Sequence, residues 1–288
     1  KTKRGKQTSR KRSKLSYLPQ MTLDSVYMGT LSGKPIYVQG TEYDAAGRAT
    51  LRTLGSTNPV QTRYNYYPWN ASVDGGKLQQ IYTTRGAAVL QNFQYDYDSN
   101  SNITDIPDYV MGNPQTQHFE YDNLDRLTSA GAANGTEGNY GPEGYSYDAA
   151  TGNLANKGSS SYNYGAQSAG CPDGTLDKAH AVVTAGDNYY CYDPNGNMVQ
   201  RVISDTNYIT YTLSYDAENH MIGYSGGTVN ATFLYDGDGR RVQATVNGVT
   251  TQFVGSHVEW KSSTSDMVRY YYAGGVRVVR RTGDDGLV

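Results

Sequence analysis

The sequence predicts an all-β protein, first from its composition. Helical periodicity is nearly absent from the 288 residues, and clusters of Gly, Asn, Asp and Ser recur at short intervals. The chain holds 28 Tyr but only 4 Phe. A compact core would favour Leu, Ile and Phe, whereas a thin sheet wetted on both faces can bury tyrosine rings and leave their hydroxyls in water. The composition therefore favours a wall built from one sheet over a solid globule.

A short sequence phrase that recurs along the chain also predicts β-structure. It consists of Tyr-Asp, a few turn residues that often include Gly, then Arg, Asn or His, and usually an apolar residue. Tyr ends an incoming strand, Asp closes an Asx-type turn, Gly supplies the positive φ of the reversal, and the apolar residue begins the return strand. Each phrase thus predicts one β-hairpin. The Tyr, Asp and, where present, Gly positions of the seven copies are Tyr43, Asp44 and Gly47; Tyr97 and Asp98; Tyr121 and Asp122; Tyr147, Asp148 and Gly152; Tyr192, Asp193 and Gly196; Tyr215 and Asp216; and Tyr235, Asp236 and Gly239.

The spacing of these copies predicts two further, degenerate ones. The copies that begin at 43 and 147 are followed by gaps about twice as long as the others. The candidates inside the gaps are residues 66–78 and 162–165. A unit of about twenty residues fits two strands of ordinary length plus two turns.

Local patterns predict further elements. Residues 209–215 and 229–235 alternate as strands do, and Asn247-Gly248 between two alternating segments is typical of a tight hairpin. The Gly- and Ala-rich stretch 129–146 is expected to be a long exposed loop, and 165–178 a second one.

The chain is expected to divide into a basic arm, residues 1–16, and a single repeat array, residues 17–288. The arm holds eight of the 25 basic residues, whereas all 27 acidic residues lie in the array. It is either a solvated tail or an assembly arm docked on an acidic surface of this chain or a neighbour. The acidic array argues against a nucleic-acid partner. The basic residues of the arm are Lys1, Lys3, Arg4, Lys6, Arg10, Lys11, Arg12 and Lys14.

Residues that could carry chemistry form no catalytic or metal-binding pattern. The four histidines lie in unrelated contexts without metal-ligand spacing, and no nucleophile elbow, P-loop or Cys/His protease signature is present. Asp236-Gly237-Asp238-Gly239 resembles the opening of a calcium loop but lacks the later carboxylate, so a turn explains it better. No apolar run approaches the ~20 residues that cross a membrane. We therefore expect no catalytic residue, no metal, no cofactor and no membrane span.

The two cysteines, Cys171 and Cys191, leave two alternatives open. In an exported protein they can form a disulfide that closes a loop of about twenty residues and stabilises the fold by roughly 3 kcal/mol. Otherwise they are two reduced, half-buried thiols.

The Tyr-Asp phrases resemble those of the YD-repeat or RHS-repeat family, which includes bacterial RHS toxins, shell components of insecticidal toxin complexes and teneurin ectodomains. The stretches 66–78, 179–183 and 270–275 agree with it as well. The resemblance covers roughly residues 38–288. It implies a β-strand spiral that winds into a hollow shell or solenoid-like tube. The final stretch resembles the run that leads into the family's core, so the self-cleavage region and the toxin domain are expected to be missing from this chain.

The resemblance implies a non-enzymatic structural protein that is bacterial and either secreted or held at the cell surface. It would be part of a β-shell that encloses or presents a toxin or effector, so its expected partner is an encapsulated toxin domain. The alternative is a self-assembling filament or surface adhesin of stacked subunits, because open solenoid ends expose strand edges. Its partners would be copies of itself and cell-surface glycans. A carbohydrate-active enzyme ranks below both, since turns already explain the scattered carboxylates.

Overall fold

The structure is a computed structural model, and it describes residues 13–17, 23–28, 36–72, 74–110, 114–204, 208–273, 276–283 and 286–287. The described residues form β-strands, turns and one 3-10 turn (Thr264–Asp266), with no α-helix, so the all-β prediction is confirmed. None of their helical turns has the length and apolar character that crossing a membrane requires. The strands are β1 (Ser13–Tyr17), β2 (Leu23–Met28), β3 (Ile36–Tyr43), β4 (Ala49–Leu54), β5 (Val60–Tyr66), β6 (Leu78–Arg85), β7 (Ala88–Gln94), β8 (Asp96–Tyr97), β9 (Ile103–Asp108), β10 (Gln115–Tyr121), β11 (Leu127–Ala133), β12 (Tyr140–Tyr147), β13 (Leu154–Lys157), β14 (Ser160–Ala166), β15 (Asp177–Ala185), β16 (Asn188–Tyr192), β17 (Met198–Ile203), β18 (Ile209–Tyr215), β19 (Met221–Gly226), β20 (Val229–Tyr235), β21 (Arg241–Val246), β22 (Val249–Val254), β23 (Val258–Trp260), β24 (Val268–Ala273), β25 (Val276–Thr282) and β26 (Gly286–Leu287).

Strands that follow one another in sequence pair antiparallel, so the chain runs as a meander of hairpins. From β1 to β7 each strand pairs with the next, and β9 pairs with β7, β8 and β10 before β10 pairs with β11. A second run of consecutive pairs extends from β12 to β24. Nearly all of the sheet therefore consists of local pairings between neighbours in sequence.

The chain forms two compact units. The first comprises Lys1–Pro142 and Tyr271–Val279, and the second comprises Glu143–Tyr270 and Arg280–Val288. Residues 1–12 of the predicted arm lie outside the described residues, whereas residues 13–16 belong to β1, which pairs with β2.

Both units have small cores. In the first, Tyr37 and Val38 are buried against Leu54, Val278 and Val279. In the second, the buried side chains are Ala231, Phe233 and Ala244, with Met221, Tyr224, Tyr235 and Phe253 packed against them. Val38 is the only large side chain among the described residues that is fully buried. Apolar burial in the described residues is therefore concentrated in small clusters.

The expected long loop over 129–146 is wrong. Strands β11 and β12 cover most of it and leave only residues 134–139 as a turn. The small residues serve close packing, because Ala130 and Ala132 are buried and a Cβ added at Gly131 would lie 3.2 Å from the Pro142 Cα. The expected loop over 165–178 is present between β14 and β15.

That second loop is held to the sheet by two contacts. A disulfide joins Cys171 in the loop to Cys191 in β16, with an S–S distance of 2.04 Å. The buried Gln167 side chain donates hydrogen bonds to the carbonyl oxygens of Gly174 and Tyr192 at 2.8 and 3.0 Å, and accepts one from the Tyr192 N–H at 2.7 Å. The loop is thus an ordered insertion within one repeat.

We predict that the Cys171→Ser/Cys191→Ser double variant unfolds with a free energy about 3 kcal/mol lower than that of the parent, because the crosslink restricts the unfolded chain. Urea unfolding measures this difference. Reductant should destabilise the parent and leave the double variant unchanged. Equal unfolding midpoints for the oxidised parent and the double variant would contradict the prediction.

Candidate functional site: the Tyr-Asp turns

Each of the seven Tyr-Asp pairs ends a strand and opens a tight turn. At Asp122 the backbone N–H donates to the Arg126 carbonyl at 2.9 Å, and the carboxylate Oδ1 accepts the N–H groups of Leu124 and Arg126 at 2.9 and 3.0 Å. Asp44, Asp98, Asp216 and Asp236 make the same set of bonds. The carboxylate thus satisfies backbone donors that the reversal leaves without a strand partner.

The two remaining turns vary this pattern. Asp193 Oδ1 accepts the Asn197 N–H, and the Asp148 turn is one residue longer, with its Oδ1 accepting the N–H groups of Ala150 and Thr151. In every turn one residue has positive φ, but only four of them are Gly. Ser101, Asp125 and Asn219 take this conformation in the other three.

The strand pairing after each turn contains the same β-bulge. Tyr121 pairs with Leu127 while Glu120 pairs with Ser129, so Thr128 is an extra residue in the return strand. The degenerate copies at Tyr66 and Tyr164 share this register. A bulge bends its strand and increases the local right-handed twist. The extra residues of the nine repeats are Thr50, Gln79, Thr104, Thr128, Ala155, Val183, Val199, Ile222 and Val242.

In seven of the nine repeats the tyrosine connects its repeat to the one before it. Tyr235 Oη donates a hydrogen bond to the carbonyl of Met221 at 2.8 Å, and Met221 is the residue that pairs with Tyr215. Tyr215 Oη in turn reaches the carbonyl of Met198, the partner of Tyr192, at 3.1 Å. We call this series the tyrosine ladder. Its other bonds run from Tyr66 to Ala49, Tyr97 to Leu78 and Tyr121 to Ile103 in the first unit, and from Tyr164 to Leu154 and Tyr192 to Val182 in the second.

Burial affects several of these phenols. It raises the pKa of Tyr121, Tyr192 and Tyr215 above the ordinary value of 10.0. Burial, together with the hydrogen bond to Asp96, raises the pKa of Tyr67 to about 12. The hydroxyls therefore remain hydrogen-bond donors at any physiological pH, each contributing about 0.5–1.5 kcal/mol to stability.

The last turn residue forms a second set of contacts between repeats. Arg48 binds the Asp44 carboxylate, and its guanidinium lies 3.9 Å from the Tyr66 ring centroid and 4.3 Å from that of Trp69. Other copies use an amide or a ring at this position. Asn102 donates to Asp125 at 2.8 Å, Asn197 donates to Asn219 at 2.8 Å, and the His220 ring stacks on Tyr235 with 4.8 Å between centroids.

Arg, Asn or His recurs at this position of the sequence phrase, but no role was predicted for it. The presence of a long polar side chain at the same place in each phrase is the signal that could have revealed these contacts. Successive turns thus lie side by side within each unit and bind one another.

Hydrogen bonding lowers the pKa of several turn carboxylates. The Arg126 side chain lowers the pKa of Asp122, and the Thr151 side chain lowers that of Asp148. For Asp44 the main cause is the Arg48 N–H, followed by its guanidinium. These aspartates are therefore ionised, and their carboxylates accept the hydrogen bonds that hold the turns.

The other histidines lie outside the turns. His118 Nδ1 lies 2.8 Å from Asp105 Oδ1, which raises the pKa of His118, and His180 Nδ1 lies 2.8 Å from Asn153 Oδ1. His257 Nδ1 contacts the Ser256 hydroxyl at 3.3 Å. Of the eight basic residues of the predicted arm, only Lys14 lies among the described residues, in β1.

Two open depressions on the second unit are large enough for a small ligand. One, of about 380 Å³, is lined by hydroxyl and amide side chains including Thr212, Ser214 and Asn230, and by no carboxylate or imidazole. The other, of about 400 Å³, has one carboxylate, Asp148, which its own turn already engages. Neither presents the pair of carboxylates with which most glycosidases act.

Comparisons with known proteins bear on the fold. No protein-family model matches the chain, and no curated protein sequence matches it either. Three solved structures are similar in fold: the crystal structures of TcdB2-TccC3-Cdc42 (TM-score 0.51, 16% identity) and TcdB2-TccC3 (0.50, 15%), and a Photorhabdus luminescens Tc holotoxin pore (0.50, 16%). In this order, the three matches cover 96%, 96% and 94% of this chain. The chain spans only 16%, 17% and 16% of the length of the matched chains.

We predict that Tyr215→Phe lowers the free energy of unfolding by about 1 kcal/mol, because it leaves the Met198 carbonyl without its donor. Chemical denaturation measures the loss. The matched control is Tyr208→Phe, since Tyr208 is 70% exposed and not part of the tyrosine ladder. Equal stabilities for the two variants would show that the ladder bonds contribute nothing.

We predict that stability falls in acid. The folded-state pKa of Asp122 lies below the unfolded value of 3.8, so the unfolded chain takes up a proton first as the pH falls. The stability that ionised Asp122 contributes is therefore present above pH 3.8 and is lost as the pH falls through the folded-state pKa. Urea unfolding at a series of pH values from neutral to strongly acidic measures the slope of the free energy of unfolding against pH. The slope should be shallower for Asp122→Asn and unchanged for Asp173→Asn at an exposed loop position. If the slope for Asp122→Asn is as steep as that of the parent, the prediction is wrong.

Proposed function

We propose that this chain is a wall segment of a larger YD/RHS-type β-shell that encloses or presents a toxin or effector polypeptide. The observation that carries the proposal is the shared register of the nine repeats together with the tyrosine ladder. Within each unit, repeats are bound to their neighbours in sequence, as in solenoid proteins, whose arrays can be extended without enlarging a central core. Such a construction suits a wall of large area.

Burial and the comparisons support the same proposal. Large side chains such as Leu234 and Val254 are 55% and 65% exposed, which fits a thin sheet. The whole chain aligns to about a sixth of a Tc toxin component. A wall fragment is expected to match over nearly all of its own length and to correspond to a small part of a much larger chain, and this chain does both.

The proposal assigns the chain no catalytic role. The turn carboxylates are occupied by backbone N–H groups and by the polar side chain at the end of each turn. The Cys171–Cys191 disulfide suits an oxidising compartment, and we infer a secreted or surface-exposed bacterial protein. Its partner would be the enclosed effector domain.

A filament or adhesin is the second candidate, and strand β1 favours it. The last residues of the predicted basic arm form this strand and pair with β2. A segment able to add a strand to its own sheet could also add one to a neighbouring copy. Cell-surface glycans are the ligands that such an adhesin would take.

Electron microscopy of the purified chain together with its mass in solution distinguishes the candidates. A wall segment predicts single particles of about 31.5 kDa that do not turn over glycans. Long regular fibres would overturn the proposal in favour of the filament, and a variant lacking residues 1–17, and with them strand β1, should then fail to assemble. Turnover of a glycan by the parent chain would overturn it in favour of an enzyme.

A further inference from the structure

The turn that follows Tyr215 carries a different set of side chains from its counterparts. It ends in His220, where the other turns end in Arg or Asn, and it places Glu218 between Asp216 and His220. The carboxylate and imidazole ligand atoms of these three residues all lie within 4.8 Å of one another. This is the one such trio of metal-ligand side chains in the part of the chain that the structure describes.

Both carboxylates face the same ring nitrogen. His220 Nδ1 lies 3.2 Å from Asp216 Oδ2 and 3.6 Å from Glu218 Oε2. Zinc binds imidazole nitrogen and carboxylate oxygen at 2.0–2.2 Å with tetrahedral geometry, which separates neighbouring ligand atoms by about 3.4 Å. The two distances therefore match a shared ion with little rearrangement.

We propose that Asp216, Glu218 and His220 bind one divalent transition-metal ion of the Zn²⁺ class, with water completing the coordination. Imidazole and carboxylate ligands together suit Zn²⁺, Cu²⁺ or Ni²⁺, whereas Ca²⁺ and Mg²⁺ prefer sites made of oxygen alone. Because the carboxylates contribute two negative charges and a neutral imidazole adds none, a divalent cation is balanced in charge.

The first of these ligands is held in position before any ion binds. Asp216 Oδ1 accepts the N–H groups of Glu218 and His220 at 2.9 and 2.8 Å, so Oδ2 is left facing the imidazole. Neighbouring Asn219 has positive φ, and its Oδ1 accepts hydrogen bonds from Asn195 and Asn197 at 3.1 and 2.8 Å. The turn is thus tied to the preceding one.

The imidazole is positioned from the other side. Its ring stacks on Tyr235 at 4.8 Å and an interplanar angle of 20°. Gly239 makes room for it, since a Cβ at that position would come within 2.8 Å of His220 Nε2. Supporting contacts of this kind raise the affinity of a metal site. Glu218, 76% exposed at its side chain, leaves the site open to water and to exchange of the ion.

Two other clusters of charged side chains do not place two carboxylates on one imidazole nitrogen, as this turn does. The Asp236 turn repeats the spacing of two carboxylates but ends in Arg240, which cannot bind a metal. His118 lies beside two carboxylates, but Asp105 faces its Nδ1 at 2.8 Å while Glu120 faces its Nε2 at 3.8 Å. One ion cannot bind both of those carboxylates and a single nitrogen between them.

Calorimetric titration of the full chain with Zn²⁺, together with the visible spectrum of bound Co²⁺, tests the proposal. We expect one site in the parent and an affinity about tenfold or more lower in His220→Asn and Glu218→Gln. Asn should preserve the fold, because Asn102 and Asn197 occupy the same position in their turns and bind the turn carboxylate through Nδ2. Circular dichroism verifies that the variants are folded.

The matched control is His118→Asn, which should retain the affinity of the parent. Absence of Zn²⁺ binding by the parent would overturn the proposal, as would equal affinity of the parent and His220→Asn. An equal loss in the His118 and His220 variants would also overturn it, since it would indicate dispersed binding to surface histidines. These results do not depend on the wall function proposed above.

Discussion

The hydrogen bond that a repeat tyrosine donates to a carbonyl of the preceding repeat, present in seven of the nine repeats, is the interaction on which the rest of the structure depends. The bond requires that the tyrosine ring lie over the start of the previous return strand. It therefore depends on the bulge that follows each turn, because the bulge brings Tyr215 opposite Met221 while Ser214 pairs with Gly223. Turn, bulge and ladder thus recur together in both units.

This arrangement explains how the chain folds with so little buried apolar surface. Tyrosine supplies ring area for packing and a hydroxyl that stabilises the next repeat, so one residue type performs both roles. The polar residue at the end of each turn does the same at the turns, as Arg48 does between Asp44 and the rings of Tyr66 and Trp69. A solenoid-like wall needs such neighbour-to-neighbour contacts more than it needs a central core.

Much of the fold could be predicted from the sequence because the repeated phrase encodes local structure. Tyr-Asp marked the turns, and alternation marked strands such as β18 and β20. The register could not be predicted, since nothing in the phrase shows that Thr128 or Ile222 is an extra residue. Gly131 and its neighbours were misinterpreted as loop residues because composition alone does not distinguish a loop from close packing. The trio around His220 was missed because its spacing also fits an ordinary turn.

The most direct test of the tyrosine ladder is an alkaline titration of the native chain, followed by tyrosinate absorbance and by circular dichroism. Burial raises the pKa of ladder tyrosines such as Tyr121 and Tyr192, so their stabilising contribution is present below pH 10 and lost as the pH rises through the folded values. Our account predicts that the ladder tyrosines ionise above the ordinary value of about 10 and later in the titration than exposed tyrosines, and that their ionisation is accompanied by loss of the sheet. Ionisation of all tyrosines in a single step near pH 10, with the sheet intact, would contradict it.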